Sequence, residues 1–419
     1  MPKINIYDED LTTAVRSINT EYAVYVPGLC NLQEDSDTKP LKAEDGPTLF
    51  ENLASFYSRV GVSPALLQNE KPDKSFIYAC ELLGAGLPVV YQVIADPSSW
   101  VGTTGDQAFY DYSEAEICAL IGDSGFDMSG ALDKGAFDIS FVTTGGYPTI
   151  YNIGSDSTVI TLGSNAKKLM KIATERGDCF ALIDVTDEVE LHSADDLEDI
   201  DGIIKDTGLD SRDAFIIVPG CEETPSFSNY KTAIVMPGSF KYLTKFASSI
   251  RTNASWFAVA GAKRGTVGGN PAYVITNDEA DALQPDEGIS VNAITKIRPY
   301  GNCIWGNRTL LSNTGNPVAS SYINVRQLVH DIKRHLYKTA KALMFSPNDD
   351  VLWVNFKNNV SPLLDKMLSG QGISSYRLVK VTSTARATLA AKIVITPIEA
   401  VEAFELTVVL TDAEVTTEG

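Results

Sequence analysis

The run Val89-Val90-Tyr91-Gln92-Val93-Ile94-Ala95 is apolar at nearly every position, as is typical of a strand buried on both faces of a parallel sheet. The segment before it, from Phe76 to Leu83, predicts a helix that ends at Gly84-Ala85-Gly86. Further upstream, Tyr22 to Val26 predicts a strand and Thr48 to Arg59 predicts a helix. The chain therefore opens with the alternating strands and helices of an α/β layer.

The same alternation returns further along the chain. We predict helices at Ala166 to Arg176, Asp195 to Gly208 and Phe240 to Arg251, and strands at Cys179 to Val185, Phe215 to Val218 and Ala233 to Pro237. This order favours a parallel sheet with helices on its faces. Residues 97–165 differ, because glycines, aromatics and short apolar runs such as Ile139 to Val142 dominate them, and we expect a variable, partly β region that faces outward.

The last third predicts two long helices followed by two strands. The helices run from Ser321 to Leu343 and from Val351 to Leu368, and the turn between them ends in residues that make good N-caps. Tyr376 to Val381 and Lys392 to Ile395 are the predicted strands.

Both ends of the sequence have the pattern of short strands with too little apolar surface to stand alone. Ile4 and Ile6 alternate with Lys3, Asn5 and Tyr7 ahead of an acidic run, Asp8-Glu9-Asp10. The matching apolar positions near the other end are Phe404, Leu406, Val408 and Leu410. A lone strand is unstable in water, whereas an open sheet edge of another chain would satisfy its backbone groups. Pairing of these strands within one chain is the alternative.

Composition limits the classes of function. The 419 residues carry a formal charge of −20, which argues against a nucleic-acid partner because binding phosphates requires a basic face. No apolar run is long enough to span a bilayer, and the first residues lack the zones of a secretory signal. We therefore expect a soluble protein of two or three domains that is made in the cytosol and is not inserted into a membrane.

Neither acids nor cysteines form a recognisable metal site. The acidity peaks between Glu175 and Glu223, where we expect a solvated outer surface because the spacing is not that of an EF-hand. The acids that cluster there are Asp195, Asp196, Glu198, Asp199 and Asp201. The six cysteines include no C-x-x-C pair, so we expect no metal, redox motif or cofactor.

Candidate catalytic groups are few. The three histidines are His192, His330 and His335, and the sequence has no G-x-S-x-G elbow to supply a nucleophile. The glycine-rich stretch from Gly261 to Gly269 is basic but lacks the order of a phosphate-binding loop. We expect no catalytic residue, and an α/β hydrolase with an unrecognised site is the alternative.

Several small features follow one another in a fixed order in the last third. They are Trp256-Phe257-Ala258-Val259-Ala260-Gly261-Ala262-Lys263-Arg264-Gly265, Ile304-Trp305-Gly306-Asn307-Arg308-Thr309-Leu310, the helix start Tyr322-Ile323-Asn324-Val325-Arg326, the turn Phe345-Ser346-Pro347-Asn348-Asp349, and the pair Gly370 and Gly372. This ordered set resembles the C-terminal half of contractile tail sheath proteins, which polymerise around the tail tube of a bacteriophage or a related injection machine. No single feature is specific by itself.

The resemblance implies an α/β fold with two parts. An inner, mixed α/β C-terminal domain with strand-exchange arms would carry an outer α/β layer domain, called subtilisin-like for its fold, with a partly β insertion. The expected limits are an N-terminal arm at 1–20, the start of the sheath α/β domain at 21–96, the variable region at 97–165, the subtilisin-like layer at 166–300, the tube-facing C-terminal domain at 301–403 and a C-terminal arm at 404–419.

The helix from Ser321 is basic in an otherwise acidic chain. Its cations recur at roughly helical spacing, and we call the following five residues the basic stripe: Arg326, His330, Arg334, Lys338 and Lys341. In sheath proteins the C-terminal domain touches the tube largely through charged side chains, so the resemblance implies that the basic stripe faces the tube. A solvated helix flank is the alternative.

The resemblance also implies the function. We expect a structural subunit, not an enzyme, that polymerises helically around a tail tube and contracts to drive the tube through a cell envelope. The expected partners are further copies of the chain, the tail tube protein, and baseplate and tail terminator proteins, in a virion tail or injection particle assembled in the bacterial cytoplasm. A tube subunit is disfavoured because tube proteins are usually much shorter and mainly β.

Overall fold

The computed structural model describes residues 22–32, 39–95, 101–104, 107–122, 131, 133–152, 160–186, 188–208, 210–381 and 388–400. The strands in these residues are β1 (Ala23–Gly28), β2 (Thr48–Phe50), β3 (Val89–Val93), β4 (Gly102–Thr104), β5 (Gln107–Phe109), β6 (Ile139–Val142), β7 (Ile150–Asn152), β8 (Ile160–Leu162), β9 (Phe180–Ile183), β10 (Ala214–Val218), β11 (Cys221–Glu223), β12 (Ile234–Met236), β13 (Asn270–Pro271), β14 (Glu287–Gly288), β15 (Asn292–Ile297), β16 (Gly301–Trp305), β17 (Asn313–Thr314), β18 (Ile373–Val381) and β19 (Ala390–Pro397).

The α-helices of the same residues are α1 (Leu53–Arg59), α2 (Lys74–Ala85), α3 (Glu114–Gly122), α4 (Ser164–Arg176), α5 (Ala194–Asp206), α6 (Gly238–Ser249), α7 (Gly261–Arg264), α8 (Asn277–Ala282), α9 (Ile323–Leu343) and α10 (Asp350–Ser369). None of these helices combines the length and apolar character needed to cross a membrane.

An eight-stranded sheet forms the centre of the molecule, in the order β16-β15-β10-β9-β6-β1-β3-β2. The six inner strands run parallel, and β16 and β2 pair antiparallel at the two edges. Parallel strands all start at the same edge of a sheet. We call this the amino edge, and its residues here are Tyr22, Asp138, Asp178 and Asp213, which come just before β1, β6, β9 and β10.

Helices cover both faces of the sheet, as the alternating sequence predicts. On one face, Leu169 of α4 and Ile200 of α5 belong to one buried apolar cluster. On the other face, Ile77 of α2 and Leu243 of α6 belong to a second cluster. The mixed α/β class with a large, mostly parallel sheet is therefore confirmed.

Some local predictions were wrong. Thr48 to Arg59 is a short strand followed by α1, because the Asn52 side chain accepts a hydrogen bond from the Ser55 N–H at 2.9 Å and starts the helix there. The strand at Ile234–Met236 pairs in a separate antiparallel sheet with β11, not in the parallel layer. β15 and β16 belong to the main sheet but were not predicted as strands.

The main sheet also crosses the expected domain limits. Ile139–Val142 lies in the region expected to face outward, yet it occupies the centre of the sheet between β1 and β9. Likewise, β15 and β16 lie on opposite sides of the limit between residues 300 and 301 but pair with each other. The assignment of inner and outer domains remains a prediction.

We call α9, α10, β18 and β19 together the C-terminal module. Its core is a third apolar cluster, whose members include Trp256, Leu328, Ile332, Phe356, Val360, Leu364, Met367 and Ile373. β18 and β19 form a two-stranded antiparallel hairpin that packs on this cluster through Tyr376, Leu378, Ile393 and Ile395. The turn between α9 and α10 holds Phe345 fully exposed, with a positive φ of 66° that non-glycine residues rarely adopt.

Candidate functional site

The basic stripe connects α9 to the amino edge of the main sheet. Arg326 Nε donates a hydrogen bond to Asp213 Oδ1 at 3.1 Å, and His330 Nε2 lies 2.8 Å from the same oxygen. Arg334 Nη1 donates to the Asp178 carbonyl at 2.7 Å. These residues tie the helix to the starts of β10 and β9.

The contact continues along the helix. Lys338 Nζ lies 2.9 Å from Asp138 Oδ2, one residue before β6. At the start of β1, the Tyr22 hydroxyl donates to Asp331 Oδ2 at 3.4 Å, and Arg334 stacks on the Tyr22 ring with 5.4 Å from its guanidinium carbon to the ring centroid. A side chain of α9 therefore reaches the start of each of four neighbouring parallel strands.

This match has a geometric cause. Residues four apart on a helix lie about 6 Å apart along its axis, and neighbouring strands lie about 4.8 Å apart. Arg334 and Lys338, which are four residues apart, can therefore meet the neighbouring starts of β9 and β6 as α9 crosses the sheet. The signal was present in the sequence, since Asp213, Asp178 and Asp138 each stand one or two positions before an apolar strand.

The structure divides the basic stripe into buried and exposed parts. Arg326, His330 and Arg334 are buried inside the chain, with His330 at 0% exposure. Lys338 and Lys341 are exposed. The five residues therefore do not form one continuous surface in the single chain, because acids and carbonyls of the chain itself neutralise or bind the first three. Whether the remaining cations contact a tube stays a prediction.

Burial sets the protonation of the buried part. Desolvation, together with the nearby positive charges of Arg326 and Arg334, lowers the pKa of His330 to about 4 despite its contact with Asp213. The imidazole is therefore neutral at pH 7. Burial opposes ionisation of Asp213, but its hydrogen bonds and charge interactions with His330 and Arg326 outweigh burial and lower the pKa of this carboxyl to about 2. The pair Arg326 and Asp213 thus carries opposite charges in the interior.

Four of the five short motifs of the last third meet in one place. Trp256 Nε1 donates to the Gly370 carbonyl at 2.9 Å, and a Cβ added to Gly372 would lie 2.9 Å from Trp256 Cδ1. Asn324 at the start of α9 donates to the Trp256 carbonyl at 3.2 Å and accepts from Asn307 Nδ2 at 2.7 Å. These four motifs mark the joint between the main sheet and the C-terminal module, where small residues permit close packing, whereas the turn at 345–349 is exposed elsewhere.

The hairpin of β18 and β19 offers two open edges. Among the described residues, β18 pairs only with β19 and β19 pairs only with β18, so the outer edge of each strand has no partner strand there. A two-stranded sheet is marginally stable in water, and open edges accept further strands. The predicted arm residues Ile4, Ile6, Tyr7, Phe404, Leu406, Val408 and Leu410 lie outside the described residues.

The crevice at which α/β folds commonly bind ligands is filled here. It lies beyond the carboxyl ends of the strands, where the order reverses at β1. Asp73, buried there, accepts hydrogen bonds from the backbone N–H of Leu29 at 3.1 Å and the Tyr147 hydroxyl at 2.7 Å. A Cβ added to Gly28 would lie 2.0 Å from the Tyr91 hydroxyl oxygen. Side chains of the chain itself therefore occupy this space.

No serine triad is assembled in the described part of the chain. Ser239 Oγ donates to Asp184 Oδ2 at 2.9 Å and lies 3.1 Å from the Tyr78 hydroxyl, without a histidine among these partners. His330 has the carboxylate Asp213 but its Nδ1 bonds no hydroxyl or thiol. The described residues also contain no group of three acids, histidines or cysteines placed to hold a metal ion.

Comparison with known proteins gives matches among solved structures only. No protein-family model and no curated protein matches the sequence. A chain in the extracellular contractile injection system structure "PVC sheath complex in contracted state" is 14% identical, with 98% of each chain covered and a TM-score of 0.60. The chain has the sheath-protein fold.

Two further structures share the sheath fold. A chain of the anti-feeding prophage helical sheath in the contracted state is 14% identical, covering 97% of this chain and 98% of that chain, with a TM-score of 0.57. A chain in the 6-fold symmetrised baseplate of the same prophage is 13% identical, covering 98% of this chain and 99% of that chain, with a TM-score of 0.63. The mixed α/β fold of sheath proteins is therefore confirmed, whereas the arrangement of inner and outer domains and the strand-exchange arms stay predictions.

Proposed function

We propose that this protein is the structural subunit of a contractile sheath, which polymerises helically around a tail tube and contracts to drive the tube through a cell envelope. The observation that carries the proposal is the fold shared over 97–98% of the chain with chains of two sheaths in the contracted state. The charge of −20 supports it, since mutual repulsion keeps free subunits apart.

The polymer would be connected by exchanged strands. Among the described residues the hairpin has no partner strand on the outer edge of β18 or of β19, and each sequence carries two strand-like arms, around Ile4 to Tyr7 and Phe404 to Leu410. Two edges and two arms per subunit allow every edge in a long polymer to be paired by neighbouring copies. Such heterologous contacts do not close on themselves and therefore build an open helix.

The tube contact would use the exposed end of α9. Lys338 and Lys341 remain accessible there, and the next turn exposes Met344 and Phe345. A non-glycine residue held at positive φ with its ring in solvent is costly for the free chain, which supports a role in a contact. Exposed ion pairs are worth about 0 to 1 kcal/mol each, so contacts of this kind would hold the register and release on contraction.

The remaining partners follow from the same proposal. Baseplate and tail terminator proteins would meet the two ends of the polymer, in a virion tail or injection particle assembled in the bacterial cytoplasm. Work would come from a more extensive interface between subunits after contraction, from an extended form held by a kinetic barrier, and not from hydrolysis of a nucleotide.

Electron microscopy of the purified protein, alone and with its tube protein, tests the proposal. Hollow striated tubes are the expected result. Dispersed compact particles under all conditions, together with turnover in a hydrolase screen that a single substitution in this chain abolishes, would replace it with the enzyme alternative.

A further inference from the structure

A cleft of about 670 Å³, lined mostly by charged and hydroxyl-bearing residues, lies at the amino edge of the main sheet. Its walls are α4, the loop between α5 and β10, and α9. Four cations line it, in a chain whose overall charge is strongly negative: Lys167, Lys171, Arg212 and Lys333.

The acids of the cleft leave much of this positive charge available. Glu175 forms only an exposed contact with Lys171, at 3.8 Å, and Asp210 accepts from the Ser312 N–H at 2.7 Å. Asp213, the third acid of the lining, already contacts Arg326 and His330 through Oδ1, while Arg212 lies 4.0 Å from its Oδ2.

Lys333 is a half-buried cation of the cleft. Its ammonium donates to the Gly177 carbonyl at 2.6 Å, and no carboxylate lies within ion-pair distance of it in the described residues. Burial lowers the pKa of Lys333, and so do the charges of Arg326 and Arg212, whereas the carboxylates of Asp213 and Asp178 raise it. A further carboxylate at the ammonium would favour the charged form of the lysine.

The N-terminal segment enters the described fold beside this cleft. Tyr22 stands at the amino edge under Arg334, whose Nη1 bonds the Asp178 carbonyl, next to Gly177 of the cleft wall. β1 and β10 are three strand spacings apart in the sheet, or about 15 Å. The acidic run Asp8-Glu9-Asp10 ends twelve positions before Tyr22, and twelve extended residues span up to about 40 Å. The run can therefore reach the cleft of its own chain.

We propose that the cleft binds the acidic run Asp8-Glu9-Asp10 of its own chain in the unassembled subunit. Exposed ion pairs are weak singly, but a short tether gives an effective concentration in the millimolar range. The acidic run would thus bind the cleft reversibly, and added salt would release it. If the proposed sheath function also holds, this contact keeps the Ile4 to Tyr7 strand from pairing until a neighbouring hairpin takes it. The binding itself does not depend on that function.

The test measures the mobility of the N-terminal arm in the full chain. A fluorophore on the α-amino group is followed by time-resolved anisotropy, at a dilution where sedimentation finds single subunits. D8N/E9Q/D10N and K167E/K171E should each lower the ratio of bound to free arm about fivefold or more, as expected from losing exposed ion pairs held by a tether. Combining the two variants should add little, because both remove the same contact.

Two further variants distinguish this site from general charge effects. K263E/K296E makes the same change of charge at exposed lysines outside the cleft and should leave the arm bound. The charge swap D8K/E9K/D10K with K167E/K171E should restore binding. Equal anisotropy in the wild type and K167E/K171E, or equal loss in K263E/K296E, would overturn the proposal.

Carbodiimide cross-linking of the wild type then maps the contact, because it joins a carboxylate to an amine only when they touch. In a mixture of ¹⁴N- and ¹⁵N-labelled protein, the arm should link to Lys167 or Lys171 within chains of one isotope. Links between isotopes alone would mean that the cleft receives a neighbour's arm, and would overturn the intramolecular assignment. Failure of the protein to form sheaths would leave these results unchanged, so the two proposals fail separately.

Discussion

Single residues at the amino edge explain why the basic stripe has a buried part and an exposed part. Arg326, His330 and Arg334 are buried against the starts of β10 and β9, while Lys338 and Lys341 are exposed. Breaking a buried ion pair leaves an uncompensated charge and costs about 3 to 5 kcal/mol, whereas an exposed pair is worth about 0 to 1 kcal/mol. Loss of a basic residue from α9 should therefore cost much more stability at a buried position than at an exposed one.

Charge reversal along α9 tests this division. K338E/K341E should change the free energy of unfolding by about 1 kcal/mol or less and weaken assembly on the tube but not tube-free polymers. R334E should destabilise the free subunit by about 3 kcal/mol or more, because it removes a buried cation and places a second acid beside Asp331, whose side chain is only 10% exposed. Urea unfolding and tube pelleting measure the two effects. Equal loss of stability in both variants would contradict the division.

His330 makes the stability of the subunit depend on pH. Its pKa is about 4 in the folded chain against an ordinary value of 6.5, so between these values the unfolded chain binds a proton that the folded chain does not. The stabilisation is complete above pH 6.5 and is lost as the pH falls towards 4. Integrated over this window, the loss is roughly 3 kcal/mol.

Urea unfolding between pH 7 and pH 4 measures this dependence. In H330Q, which keeps a donor for Asp213 but does not titrate, the slope between pH 6.5 and 4 should fall. H335Q is the matched control, since His335 lies on the same helix in an exposed contact with the Asn359 carbonyl. A slope that is unchanged in H330Q would assign the dependence to other groups.

At the scale of elements, the sequence predicted the longer helices and four strands of the main sheet but missed most of the short strands, and its errors have physical causes. The apolar run Val89 to Ala95 became β3, and the acidic helix after His192 became α5, because periodicity and caps act locally. The segment Thr48 to Arg59 was predicted as one helix, but the helix begins only after Asn52. The hydrogen bond that the Asn52 side chain accepts from Ser55 sets this start. The pairing of β6 at the centre of the sheet depends on contacts distant in sequence, which local patterns do not contain.

The candidate site was predictable only in part. The spacing of Arg326, His330, Arg334 and Lys338 indicated one helix face, but not what that face would meet. The acids that meet it lie 113 to 200 positions earlier in the sequence, as with Asp213 and Asp138. Their place one residue before an apolar strand was the available signal.

Deletion of either arm tests strand exchange. Removing residues 1–12, or all residues after Ala403, should leave a folded monomer that no longer polymerises, because one hairpin edge per subunit then stays unpaired. Circular dichroism and sedimentation measure folding and assembly. Replacing Ile4 and Ile6 by serine should weaken assembly more than replacing Lys3 and Asn5, which alternate with them. Normal tubes from either truncation would refute the exchange.

At the scale of the whole molecule, α9 belongs to two cores at once. One side contacts the amino edge through Arg326, His330 and Arg334, and another supplies Leu328 and Ile332 to the core of the C-terminal module. Secondary elements that share a helix cannot unfold independently without exposing one of its faces. The main sheet with its covering helices and the C-terminal module should therefore unfold together.

Urea unfolding monitored by hydrogen exchange tests this coupling. Amides of the main sheet and of α10 should lose protection in one transition for the wild-type monomer. R326A/H330A should separate the transitions, with α10 opening first, whereas K263A, at an exposed lysine of α7, should not. Two well-separated transitions in the wild type would contradict the prediction.

The crossing of α9 over four strand starts also has a mechanical consequence. A load applied to the hairpin passes through α10 into α9, and from there into β10, β9, β6 and the start of β1 together. Because the attachment points act in parallel, each carries only a share of the force. The main sheet and the helices that cover it would then rotate as one rigid piece when the hairpin of β18 and β19 is pulled. Deformation under load would be confined to segments of the chain outside the main sheet.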